Sequence, residues 1–380
     1  MKKILIIHNQ YKEIGGEDIA VKREIELLKN YYNIEELIFD NKKTGILKTI
    51  FIFFKNSNHS ANIQLSKKIE DFRPDLVYVH NTWFTVSLGI FKILFTNNLP
   101  TYIKVHNFRY FCTKFHSSKK HFLDKDFCKA CGNSRQKFGI YNKYYDSILK
   151  SIFINKYGKK YFQVLSDPRI NLIVLTEFHK NFLKNQGINN ENIFVIPNYL
   201  DTKEEIKENE KENSLVYAGR ISKEKGIEGL VEAFQRCNLS STKLFIVGDG
   251  PDFLKFKKKY ENEKIVFTGE LDNQKTLQYI LNSKAVVTNT LMFEGQPTLL
   301  CEASMLGKVS VFPNNGGISE FFNDKYSFIF NQNDKKDLIK KLNLLNDNDL
   351  IEKESEEINK HIQKLLNKEL LLDKFKEVFI

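Results

Sequence analysis

Continuous apolar runs alternate with helix-spaced stretches along most of the chain. Residues 3–8, 75–80, 101–106, 172–176 and 194–198 form a first series of strand-like runs. Their hydrophobicity is continuous rather than alternating, which fits parallel strands covered on both faces. A loop with Gly15 and Gly16 follows the first run, and residues 19–28 then place apolar side chains at helical spacing. A Lys-, Glu- and Asn-rich stretch at 201–213 reads as a linker. The pattern restarts at 214–219, 243–248, 265–269, 285–288 and 309–312, with a helix over 227–234 and further helices from 334 onward. Two such series predict two doubly wound α/β domains. Ligands of these folds bind at the carboxyl ends of the strands, and the cleft between the domains is the expected site.

Composition narrows the class. The 380 residues are 42% hydrophobic and 28% charged, as in a soluble globular protein. No apolar run reaches the roughly 18–20 residues of a membrane span. The start, 1–7, is too brief for a signal peptide and no small-residue cleavage site follows, so it reads as a buried strand of a cytoplasmic protein. Five cysteines without a secretion signal argue against a disulfide framework. The net charge of +11 is uneven, because residues 1–200 hold 31 Lys+Arg against 17 Asp+Glu. That basic half suits an anionic lipid surface, a phosphorylated substrate or nucleic acid, or is simply a lysine-rich solvated face.

The chemistry concentrates in loops that follow strands. In "FEGQPTLLCEA", 293–303, Pro297 is a good first helical residue, so the amides near Gly295, Gln296 and Thr298 are donors at a helix N-terminus. Glu294 lies in that loop and Glu302 two turns along the helix. The two carboxylates are either solvated or meet two hydroxyl-bearing ends of one long ligand. In Gly219-Arg-Ile-Ser-Lys-Glu-Lys-Gly226, Arg220 and Lys225 are placed to hold a phosphate chain. Gly248-Asp-Gly250-Pro and Asn314-Asn-Gly-Gly-Ile318 are further turns at strand ends. Each alone reads equally as a tight turn; four after four strands of one domain point to a ligand.

Together "YAGRISKEKGIEGLVEAF", "LFIVGDGP", "FEGQPTLLCEA" and "GGISEF" resemble the donor-binding half of retaining glycosyltransferases of family 4. "GGED", "PDLVYVHNTW", "KVHNFRYFC", "VLTEFHKNF" and "VIPNYLD" extend the resemblance over nearly the whole chain. It implies the GT-B fold: two Rossmann-like domains facing a cleft, with 1–199 binding acceptor, 214–360 binding a nucleotide-sugar donor, and a C-terminal helix over 361–380 returning to the first domain. It also implies roles. Arg220 and Lys225 grip the donor diphosphate, Glu294 the sugar hydroxyls and Glu302 the ribose. Gly219, Gly250, Gly295, Gln296, Pro297 and Thr298 line the donor, and Gln296 stands where the family varies. Gly15 and Gly16 let backbone approach the donor phosphate. His106 resembles the histidine near the reacting carbon, with a structural strand-end histidine as the other reading. His80, Asn81 and Asn107 are expected on the acceptor side.

Cys112, Cys128 and Cys131, with His116 and His121 between them, read either as a structural zinc site or as inert reduced thiols. Catalysis is expected to need no metal. Residues 44–55 mix Lys with Leu, Ile and Phe, and read as an interfacial helix or as one packed on its own domain. The expectation is a retaining, metal-independent transferase, cytoplasmic or peripheral on the inner face of the cell membrane. It would act on a lipid-linked or oligosaccharide acceptor in bacterial surface polysaccharide assembly. A sugar-nucleotide epimerase, a non-catalytic nucleotide-sugar binder and a nucleic-acid-binding protein are the alternatives. The last lacks a reader module, and a dinucleotide oxidoreductase lacks Gly-x-Gly-x-x-Gly after the first strand.

Overall fold

Ile4, Leu5, Ile6 and Ile7 are fully buried, so neither face of the first strand meets water and the strand needs helices on both sides. The computed structural model describes residues 1–11, 15–41, 51–52, 54–83, 85–108, 110, 148–200 and 212–379. The chain divides into two compact units, Met1–Tyr199 with Lys368–Ile380, and Leu200–Asn367.

The first unit runs β1 (Lys3–Gln10), α1 (Gly16–Lys29), β2 (Asn33–Asp40), α2 (His59–Phe72), β3 (Leu76–Val79), α3 (Gly89–Thr96), β4 (Thr101–Val105), α4 (Ile148–Leu165), β5 (Ile170–Val174), α5 (Glu177–Asn185) and β6 (Ile193–Val195). Its six strands pair in parallel in the order β2-β1-β3-β4-β5-β6. The second unit runs β7 (Ser214–Ala218), α6 (Ile227–Phe234), β8 (Lys243–Val247), α7 (Phe253–Tyr260), β9 (Ile265–Gly269), α8 (Asn273–Asn282), β10 (Ala285–Val287), α9 (Thr298–Met305), β11 (Val309–Asn314), β12 (Ile329–Asn331), α10 (Lys335–Asn343) and α11 (Asn348–Leu365). Its parallel order is β12-β11-β10-β7-β8-β9. Read from β9, that is the 3-2-1-4-5-6 order of dinucleotide-binding folds, whereas the first sheet follows the 2-1-3-4-5 order with one strand added.

The two sheets are the α/β architecture the sequence predicts. The differences lie at the edges. β2 and β12, each at the end of its sheet, are absent from the sequence reading. β2 leaves six of its eight residues partly exposed or open, and β12 has three residues, so neither shows a continuous apolar run.

The last helix, α12 (Lys368–Val378), packs in the first unit. Leu371, Leu372, Phe375 and Phe379 are buried with Tyr32, Tyr78 and Tyr102, and Tyr102 donates to the Val378 carbonyl at 2.7 Å. Each such apolar side chain stabilises the core by ~1.5–3 kcal/mol. Among the described residues no helix is long and apolar enough to cross a membrane. Cys112, Cys128 and Cys131, most of 44–55 and most of the 201–213 linker lie outside the described residues.

Candidate active site

In the second sheet β7 and β10 are neighbours, and the chain leaves them in opposite directions, to β8 and β9 on one side and β11 and β12 on the other. That is a topological switch point, where loops diverge and open a crevice. The β7 loop carries Arg220 and Lys225, and the β10 loop carries Glu294.

Backbone contacts lock these loops together. Asn289 Nδ2 donates to the Gly226 carbonyl at 3.0 Å, and the Leu291 amide to the Glu224 carbonyl at 2.9 Å. Gly226 has a φ of +69°, and a Cβ there would fall 1.9 Å from the Asn289 oxygen, so no other residue fits without moving the β10 loop. The Ile221 amide donates to the Asp249 carbonyl at 2.8 Å. Gly250 lies so close that its Cβ would stand 2.4 Å from the Ile221 oxygen. The Gly317 amide donates to the Glu294 carbonyl at 2.9 Å, and Asn315 Nδ2 donates to the Met292 carbonyl. The four loops singled out in the sequence therefore form one interlocked surface.

On that surface Lys225 Nζ stands 2.6 Å from Glu294 Oε1, with the side chains 26% and 23% exposed. Thr290 Oγ1 donates to the same oxygen at 3.1 Å. Water competes for such a pair, so it adds at most ~1 kcal/mol of stability. Its members stay available to a ligand with charge and hydroxyls of its own. Arg220 is exposed, and Tyr217 Oη donates to its carbonyl at 3.0 Å.

Helix α9 begins at Thr298, which places Pro297 at the cap rather than in the first turn: its ψ is 83°, while its carbonyl accepts from the Cys301 amide at 3.0 Å. Gly295 and Gln296 are buried just before it. Glu302, expected two turns along, is the fifth residue of the helix and buried. Burial, followed by the charge of Glu302, pushes the neighbouring Cys301 thiol up, against a hydrogen bond from Gln296.

The first sheet has its own switch point, between β1 and β3. Gly15 caps α1 and Gly16 begins it. Asp18 accepts from the Gly15 amide at 2.9 Å and meets His8 Nε2 at 2.9 Å. Burial opposes the Asp18 charge, but these hydrogen bonds and His8 hold the carboxyl below its ordinary value. A Cβ on Gly15 would meet only Asp18 Oδ2 at 3.9 Å, and one on Gly16 nothing within 4 Å, so the fold itself does not demand glycine there.

His80 follows β3 and His106 follows β4. Their rings stack with centroids 5.5 Å apart, and His80 Nδ1 lies 3.2 Å from His106 Nε2. Burial holds both well below the ordinary histidine value, reinforced for His80 by His106, His8 and Lys104 and for His106 by Lys104, His8 and His179. Burial thus favours the neutral form of both rings. Asn81 is buried and bonded to backbone: it donates to the Asn9 carbonyl at 2.8 Å and accepts from the Trp83 amide at 2.9 Å. Asn107 Nδ2 reaches Glu17 Oε2 at 3.4 Å.

Several residues escaped the sequence reading. Thr290 and Asn289 align the loop around Glu294 and were hidden in "TNTLMFEGQP". Glu24 and Lys104 form a fully buried ion pair, signalled only by a lone lysine inside the apolar run "TYIKV". Among the described residues no group of three or more His, Cys, Asp or Glu could hold a metal ion.

Comparison with known proteins agrees with this architecture. Residues 199–365 match the family model described as Glycosyl transferases group 1. An uncharacterized glycosyltransferase of Methanocaldococcus jannaschii is 25% identical over 252 residues, 61% of this chain and 64% of that protein. The amylovoran biosynthesis glycosyltransferase AmsD of Erwinia amylovora is 26% identical over 140 residues, 35% of this chain and 40% of that protein. The matches thus span less than two thirds of either curated relative. The structure of Anabaena HepE in complex with UDP and glucose superposes over 100% of this chain and 99% of its own, with a TM-score of 0.66 at 15% identity. The second unit thus carries the group 1 match, and the two-sheet fold is that of the HepE structure.

Proposed function

We propose that the protein is a retaining glycosyltransferase that moves a sugar from a nucleotide-diphosphate donor to an acceptor hydroxyl. The observation that carries this reading is the Lys225–Glu294 pair at the β7/β10 switch point, beside Arg220 and ahead of the N-terminus of α9. A diphosphate would draw Lys225 away from Glu294, and the freed carboxylate would accept from sugar hydroxyls. Thr290 keeps it aimed. Arg220, Lys225 and the α9 N-terminus would stabilise charge on the leaving phosphate, and no metal is assigned to that task. Glu302 is assigned to the ribose, Gly219, Gly250, Gly295, Gln296 and Thr298 to the donor backbone contacts, and His106 to the reacting sugar. Gly15 and Gly16 would be explained by a close-lying phosphate. The departing phosphate would take the acceptor proton on the same face, giving retention.

The acceptor is assigned to lipid-linked saccharide in surface polysaccharide synthesis, in line with the amylovoran name of AmsD. Peripheral contact with an anionic inner membrane is supported by exposed Phe51, Phe54 and Leu149 (56%, 59% and 67%). Lys55 lies 4.5 Å above the Phe51 ring and Lys156 5.5 Å above Phe54. Apolar rings under flexible cations suit a headgroup layer.

Thermal shift with UDP, GDP, ADP and CMP, on wild type and Glu302→Ala, tests the donor site. One diphosphate at about 100 times its dissociation constant should add ~2.7 kcal/mol to the wild type and far less to the variant. Folded protein that responds to none of the four would overturn the assignment.

A further inference from the structure

Behind His106 lies a buried polar chain that the proposed transfer does not use. Glu24, on α1, is buried, accepts from two side chains and faces a third. Tyr78 Oη donates to its Oε1 at 2.7 Å, Lys104 Nζ bonds its Oε2, and His80 Nε2 stands 3.8 Å from Oε1, with both side chains 1% exposed. Among the described residues His80 Nε2 has no hydrogen-bond partner. Its other nitrogen, Nδ1, faces His106 Nε2 at 3.2 Å.

Two neutral imidazoles sharing one hydrogen bond have two arrangements. In the first, His80 carries its proton on Nε2, toward Glu24, and its bare Nδ1 accepts from His106 Nε2–H. In the second, His80 Nδ1–H donates to His106, and the His80 Nε2 lone pair points at a carboxylate. The second sets two electron-rich atoms against each other at a site without water's dielectric. The first sets an N–H dipole toward the negative charge. The geometry therefore favours the first.

We propose that Glu24, acting through His80, fixes His106 as a neutral imidazole protonated on Nε2, with Nδ1 as its hydrogen-bond acceptor. His80 and Glu24 are then positioning residues. The tautomer follows from this unit alone, and its use in sugar transfer rests on the reading above. A His106 of this polarity accepts from a sugar hydroxyl through Nδ1. With the opposite polarity it would offer a donor there and repel that hydroxyl's proton. His80, expected on the acceptor side, acts instead from behind its neighbour.

Imidazole 15N shifts of the full chain labelled at histidine decide the tautomer, with His106 assigned from a His106→Gln spectrum. The wild type should show His106 protonated on Nε2 and bare on Nδ1. Protonation on Nδ1, or an imidazolium at pH 7.5, overturns the proposal. Removing Glu24 alone strands Lys104, so the charge-balanced Glu24→Gln/Lys104→Met variant is used. It should show both His106 tautomers, and an unchanged single tautomer argues against Glu24 as the source. His80→Asn and His80→Phe carry the kinetic test. The asparagine carbonyl can replace Nδ1 as acceptor, so it should keep kcat within about fivefold, while phenylalanine lowers kcat at least tenfold with donor KM unchanged. Equal losses in the two variants overturn the positioning role. If the wild type shows the expected tautomer but transfers no sugar, the tautomer stands and the transferase reading fails.

Discussion

The switch points of the two sheets obey one topological rule with opposite chemistry. At β1/β3 the strand ends close over buried charge and neutral histidine: Glu24 with Lys104, His80 with His106, Asp18 with His8. At β7/β10 they open into glycine-bearing loops, and the Lys225–Glu294 pair between them is a quarter exposed. A buried network fixes geometry and is costly to disturb. An exposed pair over interlocked backbone is cheap to break, which suits groups that must exchange partners. Where a polar group sits decides whether losing it harms the fold or only the binding.

The largest effect should separate the two lysines. Lys104→Met leaves Glu24 uncompensated in the interior and should cost ~3–5 kcal/mol. Lys225→Met should cost at most ~1 kcal/mol while abolishing nucleotide-induced stabilisation. Urea titrations of both variants, with and without the best nucleotide, check this. Similar losses in the two would erase the contrast.

Acid should act on the same division. His80 and His106 are held well below 6.5, and His179 is lowered to about 3 by burial. The unfolded chain therefore binds more protons than the native one below about pH 6.5, so stability is fully present above that value and drains as pH falls toward the folded values. Each of these histidines contributes a loss of about 1.4 kcal/mol per pH unit below 6.5. The second unit has a single histidine, His361, in its sequence. Hydrogen exchange at pH 7.5 and 5.5 should show amides of the first unit losing protection first. Equal loss in both units would break the comparison.

Smaller still is Gly226→Ala. A positive φ and the Asn289 oxygen should cost ~1–3 kcal/mol, with nucleotide binding weakened as the β10 loop is displaced. A stable Gly226→Ala protein that binds normally would show that the loops are not interlocked as described.

What the sequence disclosed follows from how local each feature is. Interior strands such as β1 and β7 announce themselves, because burial on both faces leaves no room for polar residues. β2, with Glu35 and Glu36, needs only partial cover at the sheet edge and hides among charged residues. The glycine loops were legible because turn chemistry is written in neighbouring residues. Glu24 and Lys104 are 80 positions apart, and no local pattern pairs them; only the oddity of a lysine inside an apolar strand hinted that a partner existed. The same separation hid the role of His80, whose partners come from α1 and the end of β4.

Helix α12 has a consequence in time. Its Leu371 and Phe375, with Phe379 just beyond its end, complete a core whose other walls, Tyr32, Tyr78 and Tyr102, are synthesised first. All of residues 200–367 must leave the ribosome before that last wall arrives. At typical elongation speed this delay is roughly 10–40 s. During it, the aromatic face of the first sheet stands uncovered and open to chaperones or to another nascent chain, while the second unit, contiguous in the chain, can already close.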